Sequence, residues 1–388
     1  MKTDRNILAV CHDAGGARAV IPVVKELKRL GVSVVALVAG PAAVIWPSEC
    51  PEVEFLEVPD AFSSTEAGKV FEAHHTDTLL SASGLYNQIE HTVRVAAQRR
   101  GLYSVAVLDS WLTYAERFQR ISDEGLEECH PDRVCVIDDL SYQGMLSAGF
   151  KPDQVVITGP PNLEATVSFC QSISPDQCEE WRMKHGLSPR DFVMTFFSDP
   201  FYTGPDGEWI TGPGALIGPD GKSIFGYTSI SILEAVLEEL AAACEAVGRS
   251  CKFIVKPHPI EHAECLRPVV DQKESNKWLD VRISTEGNAA EWIMLSDAVL
   301  GMMSIALLEA ALAGKPALSV EIGLLESGAE DPCLSNLLGY TYAIYDRSSL
   351  KKAMQAICAG NFDRVISSPR CQLPIWGAAG RVASAVVS

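Results

Sequence analysis

Two stretches of the chain carry residues suited to binding an anion. The run FIVKPHP at 253–259 leads from an apolar segment into Lys256 and then His258, which stands between two prolines. A lysine is a compact cation that suits a phosphate, and a histidine on a stiff backbone can face the same anion at little ordering cost. The same residues also serve simply to end a strand with a surface histidine. The run VLGMMSIALLEAALAGKPALSV at 299–320 reads as strand, turn, helix and strand. Gly301 closes the strand, Met303 and Ser304 make the turn, and Ser304 is a favoured N-cap. The helix start then offers unpaired N–H groups and a positive dipole end to a phosphate. Glu309, further along that helix among apolar residues, either reaches a group such as a ribose diol or lies on a solvent face.

A third stretch supplies groups that move protons. In HDAGGARAV, Gly15 and Gly16 stand where a strand meets a helix, which lets a backbone approach a ligand or merely makes a tight turn. His12 and Asp13 just before them read as a general base with its orienting partner, or as two bases in sequence; Asp13 equally suits a helix N-cap. Asp109 closes another strand, YSVAVLD at 103–109, and is a further acid or base candidate. Several chemistries lack their motifs. GxGxxG does not occur and no acidic residue closes the second strand, which argues against a nicotinamide cofactor. GxxxxGK[ST], GxSxG and HExxH do not occur either.

The elements that must position these residues alternate. Strand-like runs occur at 6–11, 32–40, 53–58, 103–109 and 133–138, with helical patterns at the segment led by Val20, Ile21, Val24 and Leu27 and around 84–100. After a polar, helix-like connector at 162–188 a second series follows. Its strands are 191–199, 251–257, 298–301 and 316–320, and its helices 229–248 and 304–313. This rhythm predicts an α/β chain of two doubly wound parallel-sheet domains. In such sheets ligands sit beyond the carboxyl ends of the strands. That rule selects His12, Asp13, Gly15, Gly16, Asp109, Asp138, Asp139, Ser198, Asp199, Lys256, His258, Met303 and Ser304. The Gly- and Pro-rich segment 200–227 interrupts the second series as a lid or as a plain insertion.

Bulk properties agree with two domains, since 388 residues exceed what one core usually fills. There are 32 Lys and Arg against 50 Asp and Glu, a formal charge of -18, so nucleic acid is not an expected partner. The twelve cysteines are scattered with no CxxC pair, which predicts free thiols and no metal site. No run is long and apolar enough to cross a membrane and the start carries no secretory signal, so a cytoplasmic location is expected.

These residues resemble a known superfamily. FIVKPHP followed by LSDAVLGMMSIALLEAALAGKPALSV looks like the donor half of GT-B glycosyltransferases, the bacterial polysaccharide transferases, and their UDP-N-acetylglucosamine 2-epimerase relatives. HDAGGARAVIPVVKELKRLG is similar to their first glycine loop and helix. VVITGPPNLE at 155–164 resembles the element that ends their N-terminal domain, and VLDSWLTYAERF at 107–118 resembles a segment of the same superfamily. The resemblance implies two Rossmann-like domains facing a cleft. Residues 1–163 would form the acceptor domain, joined by a helix at 374–388, and 189–373 the nucleotide-sugar domain. It implies a metal-independent glycosyltransferase with no cofactor, a UDP-sugar donor and a glycan or small-molecule acceptor, with a homodimer allowed for. Lys256, His258, Met303, Ser304, Glu309 and the glycine pair would bind the donor, and His12, Asp13 or Asp109 would handle protons. A nucleotide-sugar 2-epimerase or hydrolase with Asp109 and Asp13 as acid and base, and a non-catalytic nucleotide-sugar-binding protein, are the alternatives.

Overall fold

The computed structural model describes residues 5–85, 88–122, 125–200, 223–258, 261–272, 276–370 and 372–388. Most of the 200–227 segment, Pro259 of FIVKPHP and Cys371 lie outside these residues. The chain divides into two compact units, Met1–Ala165 with Leu373–Ser388, and Thr166–Gln372.

The first unit contains β1 (Asn6–Cys11), β2 (Ser33–Val38), β3 (Phe55–Glu57), β4 (Thr78–Ser81), β5 (Tyr103–Val107), β6 (Gln119–Ser122), β7 (Gly125–Glu128), β8 (Arg133–Val136) and β9 (Val155–Ile157). Seven of these form one parallel sheet in the order β3-β2-β1-β4-β5-β8-β9, while β6 and β7 pair antiparallel in a separate hairpin. Leu8, Ala9, Val10 and Cys11 of β1 are all fully buried, as a central parallel strand covered on both faces requires. The helix Ala14–Arg29 buries Val20, Ile21, Val24 and Leu27, the positions that its periodicity singles out.

Residues 373–388 complete this unit. Val382, Ala383 and Val386 enter the core formed by β1, β2 and the helix Ala14–Arg29. The Glu164 carboxylate accepts the amides of Gly377 and Ala379 at the start of the helix Ala378–Val387, where negative charge opposes the helix dipole. The Arg381 guanidinium donates to the carbonyls of Thr158, Trp376 and Pro374.

The second unit has β10 (Val193–Phe197), β11 (Cys251–Lys256), β12 (Leu279–Ile283), β13 (Ala298–Gly301), β14 (Ala317–Val320) and β15 (Tyr342–Ile344). They form one parallel sheet in the order β12-β11-β10-β13-β14-β15. The segment read from sequence as a polar, helix-like connector contains the helices Pro161–Ser172 and Pro175–Lys184. The second is packed in place: Cys178 and Trp181 lie against a core of this unit, and Arg182 donates to the carbonyls of Leu295, Pro189 and Asp191.

Both sheets reverse their winding at the same place. Strand order changes direction between β1 and β4 in the first unit and between β10 and β13 in the second, and the carboxyl ends of such strand pairs are where open α/β sheets bind ligands. Among the described residues no helix is long and apolar enough to cross a membrane.

Candidate active site

In the first unit the switch point carries a group of acids around one imidazole. Asp13 occupies the N-cap position of the helix Ala14–Arg29, yet its side chain makes no capping bond. Its Oδ1 lies instead 2.7 Å from His12 Nδ1, and His12 Nε2 lies 3.2 Å from Asp60 Oδ1. The His12 amide donates to Glu90 Oε1 at 2.9 Å. Asp109, at the end of β5, receives Arg117 Nη1 at 2.9 Å, and both side chains are largely buried. Burial raises the Asp109 carboxyl above the usual carboxylate range, against the pull of Arg117. Burial also pushes Glu90 up to about 7, with the charge of Asp13 adding to the shift and that of Arg94 opposing it.

Glycines admit this crowding. A Cβ on Gly15 would stand 2.8 Å from Asp109 Oδ2. One on Gly84, beyond β4, would stand 2.7 Å from Asp13 Oδ2 and 3.1 Å from Glu90 Oε2. Neither position tolerates a side chain unless the carboxylates move. Gly16 is pressed by a different neighbour, the Ala82 methyl at 2.7 Å. The HDAGG turn therefore lets the helix start lie close against β4 and β5.

The segment VLDSWLTYAERF is bonded throughout. Arg117 holds Asp109 and donates to the carbonyls of Ser83 and Leu112. Trp111 Nε1 donates to Asp138 Oδ2 at 2.8 Å, and Asp138 also caps the helix Asp139–Ser147 through the Ser141 amide. Asp138, selected by its place after a strand, is thus committed to structure.

In the second unit the anion-binding features have internal partners. Lys256 Nζ donates to the carbonyls of Thr285 and Glu286, both at 3.0 Å, which takes two of its three N–H donors. Burial lowers its pKa and that of His258. The His258 amide donates to Glu261 Oε2 at 3.0 Å, and Ser198 Oγ donates to Glu261 Oε1 at 2.9 Å. Ser304 is the N-cap residue of the helix Ile305–Leu312, without a side-chain capping bond. The turn before it is served by Asp199, whose Oδ2 accepts the Met303 amide at 3.1 Å. Burial pushes Asp199 up to about 7, although the amides of Met303, Met302 and Ser304 pull it down. Glu309 Oε1 accepts from Thr166 Oγ1 at 3.3 Å, which places it against the helix Pro161–Ser172.

Glu321, directly after β14, has no exposed surface. It accepts from Tyr227 Oη and Asn336 Nδ2, each at 3.3 Å, and burial next to Asp331 pushes it up to about 9. Sequence reasoning passed over Glu90, Glu261 and Glu321. The strand-end rule that selected Asp199 selects Glu321 equally, since it follows PALSV. Nothing comparable marks Glu90, which lies on a helix, or Glu261, which lies in a loop. Eleven described cysteines are free thiols, and among the described residues no group of three or more His, Cys, Asp or Glu is placed to hold a metal ion.

No family model matches the chain. No curated protein matches it either. Solved structures do. UDP-GlcNAc 2-epimerase from Neisseria meningitidis, bound to UDP-GlcNAc, superimposes with a TM-score of 0.65 at 13% identity, covering 98% of this chain and 99% of that one. A glycosyltransferase from Rickettsia africae gives 0.57 at 12% identity, over 99% and 94%. Anabaena HepE in complex with UDP and glucose gives 0.53 at 13%, over 98% and 95%. At these identities the likeness is one of fold, and with two parallel sheets that reverse their winding at matching points the chain has the GT-B fold.

Proposed function

We propose that the protein is a nucleotide-sugar enzyme that transfers the sugar of a UDP-sugar donor to a hydroxyl of a glycan or small-molecule acceptor. The observation that carries this reading is the His12–Asp13 pair at the end of β1. An imidazole whose Nδ1 is held 2.7 Å from the Asp13 carboxylate, at the turn where the sheet reverses, is an oriented general base for a hydroxyl proton once its Nε2 is released from the exposed Asp60 carboxylate. Asp109 stands beside it as a carboxyl that burial keeps easier to protonate than usual. In the second unit the ligand groups are Lys256, His258 and the Met303–Ser304 turn, which would offset the charge of the departing diphosphate. No step in this reading needs a cofactor.

A second reading, a nucleotide-sugar 2-epimerase or hydrolase with Asp109 and Asp13 as acid and base, is favoured by the approach of Asp109 to Gly15 and of Asp13 to Gly84. Neighbouring carboxyls, with that of Asp109 raised by burial, suit acid and base work on the donor itself.

Thermal shift with UDP, GDP, CMP, dTDP and ADP and their sugar conjugates identifies the donor, and product analysis with and without an added glycan follows. Turnover only with acceptor supports the transferase. Turnover of the donor alone supports the second reading. Stabilisation by none of the nucleotides overturns both and leaves a scaffold of GT-B fold.

A further inference from the structure

Glu90 is the buried acid that the proposed reaction does not use. It opens the helix that follows β4, is 1% exposed, and gives one oxygen to the His12 amide. The other oxygen, Oε2, has no hydrogen-bond partner among the described residues. A buried, unpartnered carboxylate oxygen is costly, and its surroundings tell how the cost is avoided. Oε2 of Glu90 and Oδ2 of Asp13 converge on the bare face of Gly84, within 3.1 Å and 2.7 Å of the same point. The remaining oxygen of Asp13 is engaged by His12. The neighbouring cation, Arg94, lies one turn along the same helix, but its guanidinium donates to Ser81 Oγ and to the carbonyls of Ala82 and Arg117. The charge of Glu90 also reaches the buried Cys11 thiol on β1, and Asp109 bears on Cys11 and Asp13. Of two carboxylates that converge on one point, the more deeply buried holds a proton most readily, and for Glu90 burial together with the charge of Asp13 outweighs the opposing charge of Arg94.

We infer that Glu90 is a positioning residue for the proton-transfer group of the first unit: it retains a proton, so the Glu90–Asp13 pair carries one negative charge, and Asp13 presents that charge to His12. This rests on the reading of His12 and Asp13 as the groups that take the acceptor proton. Through its other oxygen Glu90 also fixes the backbone of His12, so one side chain sets both the place of the imidazole and the charge beside it.

The test is carboxyl NMR on protein labelled with 13C at the glutamate side-chain carboxyl, titrated from pH 4 to 9. It needs no donor, so a failure to find a sugar substrate leaves it intact. Two resonances are expected to titrate near pH 7, those of Glu90 and Glu261, and one of them is expected to vanish in Glu90→Gln. In Asp13→Asn, which keeps Glu90 and removes the like charge, that midpoint is expected to fall while other high midpoints stay; this arm stands should Glu90→Gln not fold. The inference is overturned if the resonance lost in Glu90→Gln titrates in the ordinary glutamate range, or if Asp13→Asn leaves every high midpoint unmoved. Once a donor is known, Glu90→Gln should keep turnover at neutral pH within a few-fold, and Glu90→Ala should lose at least tenfold. Equal losses in the two variants would also sink the idea.

Discussion

Asp199 Oδ2 accepts the backbone amide of Met303 at 3.1 Å, so the chain places its own carboxylate on the turn that leads into the helix Ile305–Leu312. In the first unit Asp13, after β1, lies over the bare face of Gly84 in the segment after β4. In each sheet an acid from the first strand end leans over the strand that follows the reversal.

If the second unit takes the nucleotide, diphosphate binding competes with Asp199. Its carboxyl is held at about 7, so it is neutral below that pH and ionised above it. UDP affinity measured by calorimetry should therefore fall as pH rises from 7 to 8.5, by up to about tenfold per unit when one proton is taken up on binding. Asp199→Asn should flatten this dependence and bind more tightly at pH 8.5. An unchanged slope in the variant would show that Asp199 does not oppose the ligand.

Glu321 should cost stability at high pH. Its folded pKa, about 9, lies above the ordinary value of 4.5. The folded state thus keeps a proton that the unfolded chain releases, and the stability this gives declines as pH climbs from about 4.5 through 9. Glu321→Gln retains the acceptor for Tyr227 and a donor towards Asp331 and gives up the acceptor for Asn336 Nδ2, which keeps Ser319 and Asp331 as acceptors. It should be near neutral at pH 5 and more stable than wild type by about 1–3 kcal/mol at pH 8.5. Urea unfolding at the two pH values checks this; the same difference at both would count against a titrating role.

Gly84→Ala should disturb the imidazole through a carboxylate. The added methyl meets Asp13 Oδ2 at 2.7 Å, and relieving that contact moves Asp13 off His12. The expected cost is about 1–3 kcal/mol of stability, with at least tenfold lost in kcat/KM. Gly101→Ala is the control: it is also strained, at φ +68, but meets nothing within 4 Å, and it should lower stability without changing kcat/KM. Wild-type activity in Gly84→Ala would mean that the site tolerates the displacement.

Much of the fold could be read from the sequence because parallel strands and their helices keep strong periods. The helix expected at 304–313 is Ile305–Leu312, and the strand expected at 298–301 is β13 without adjustment. Thr78–Ser81 escaped notice although it is β4, between β1 and β5. Two leucines between Thr78 and Ser81 give no pattern, and the burial of β4 comes from neighbours that are distant in sequence. The candidate residues at strand ends are present at those ends, but their partners were not foreseeable. That Lys256 faces the carbonyls of Thr285 and Glu286, and that Asp199 serves the turn before Ser304, depend on loops from other parts of the chain. Glu90 was hidden for a further reason. Its helix buries Glu90, His91 and Arg94 together with its apolar residues, so polarity there does not mark the solvent side.

The return of residues 373–388 to the first unit has a consequence for how the chain comes into being. Domains generally fold in the order in which a ribosome releases them, amino-terminal first. Here the amino-terminal unit must wait. Until Val382, Ala383 and Val386 have been made, the core of β1, β2 and the helix Ala14–Arg29 lacks part of its cover, and the Glu164 carboxylate has no amides of Gly377 and Ala379 to accept. Thr166–Gln372 depends on no such late arrival. The unit that begins first in synthesis is therefore completed last, and the His12–Asp13 pair belongs to that unit.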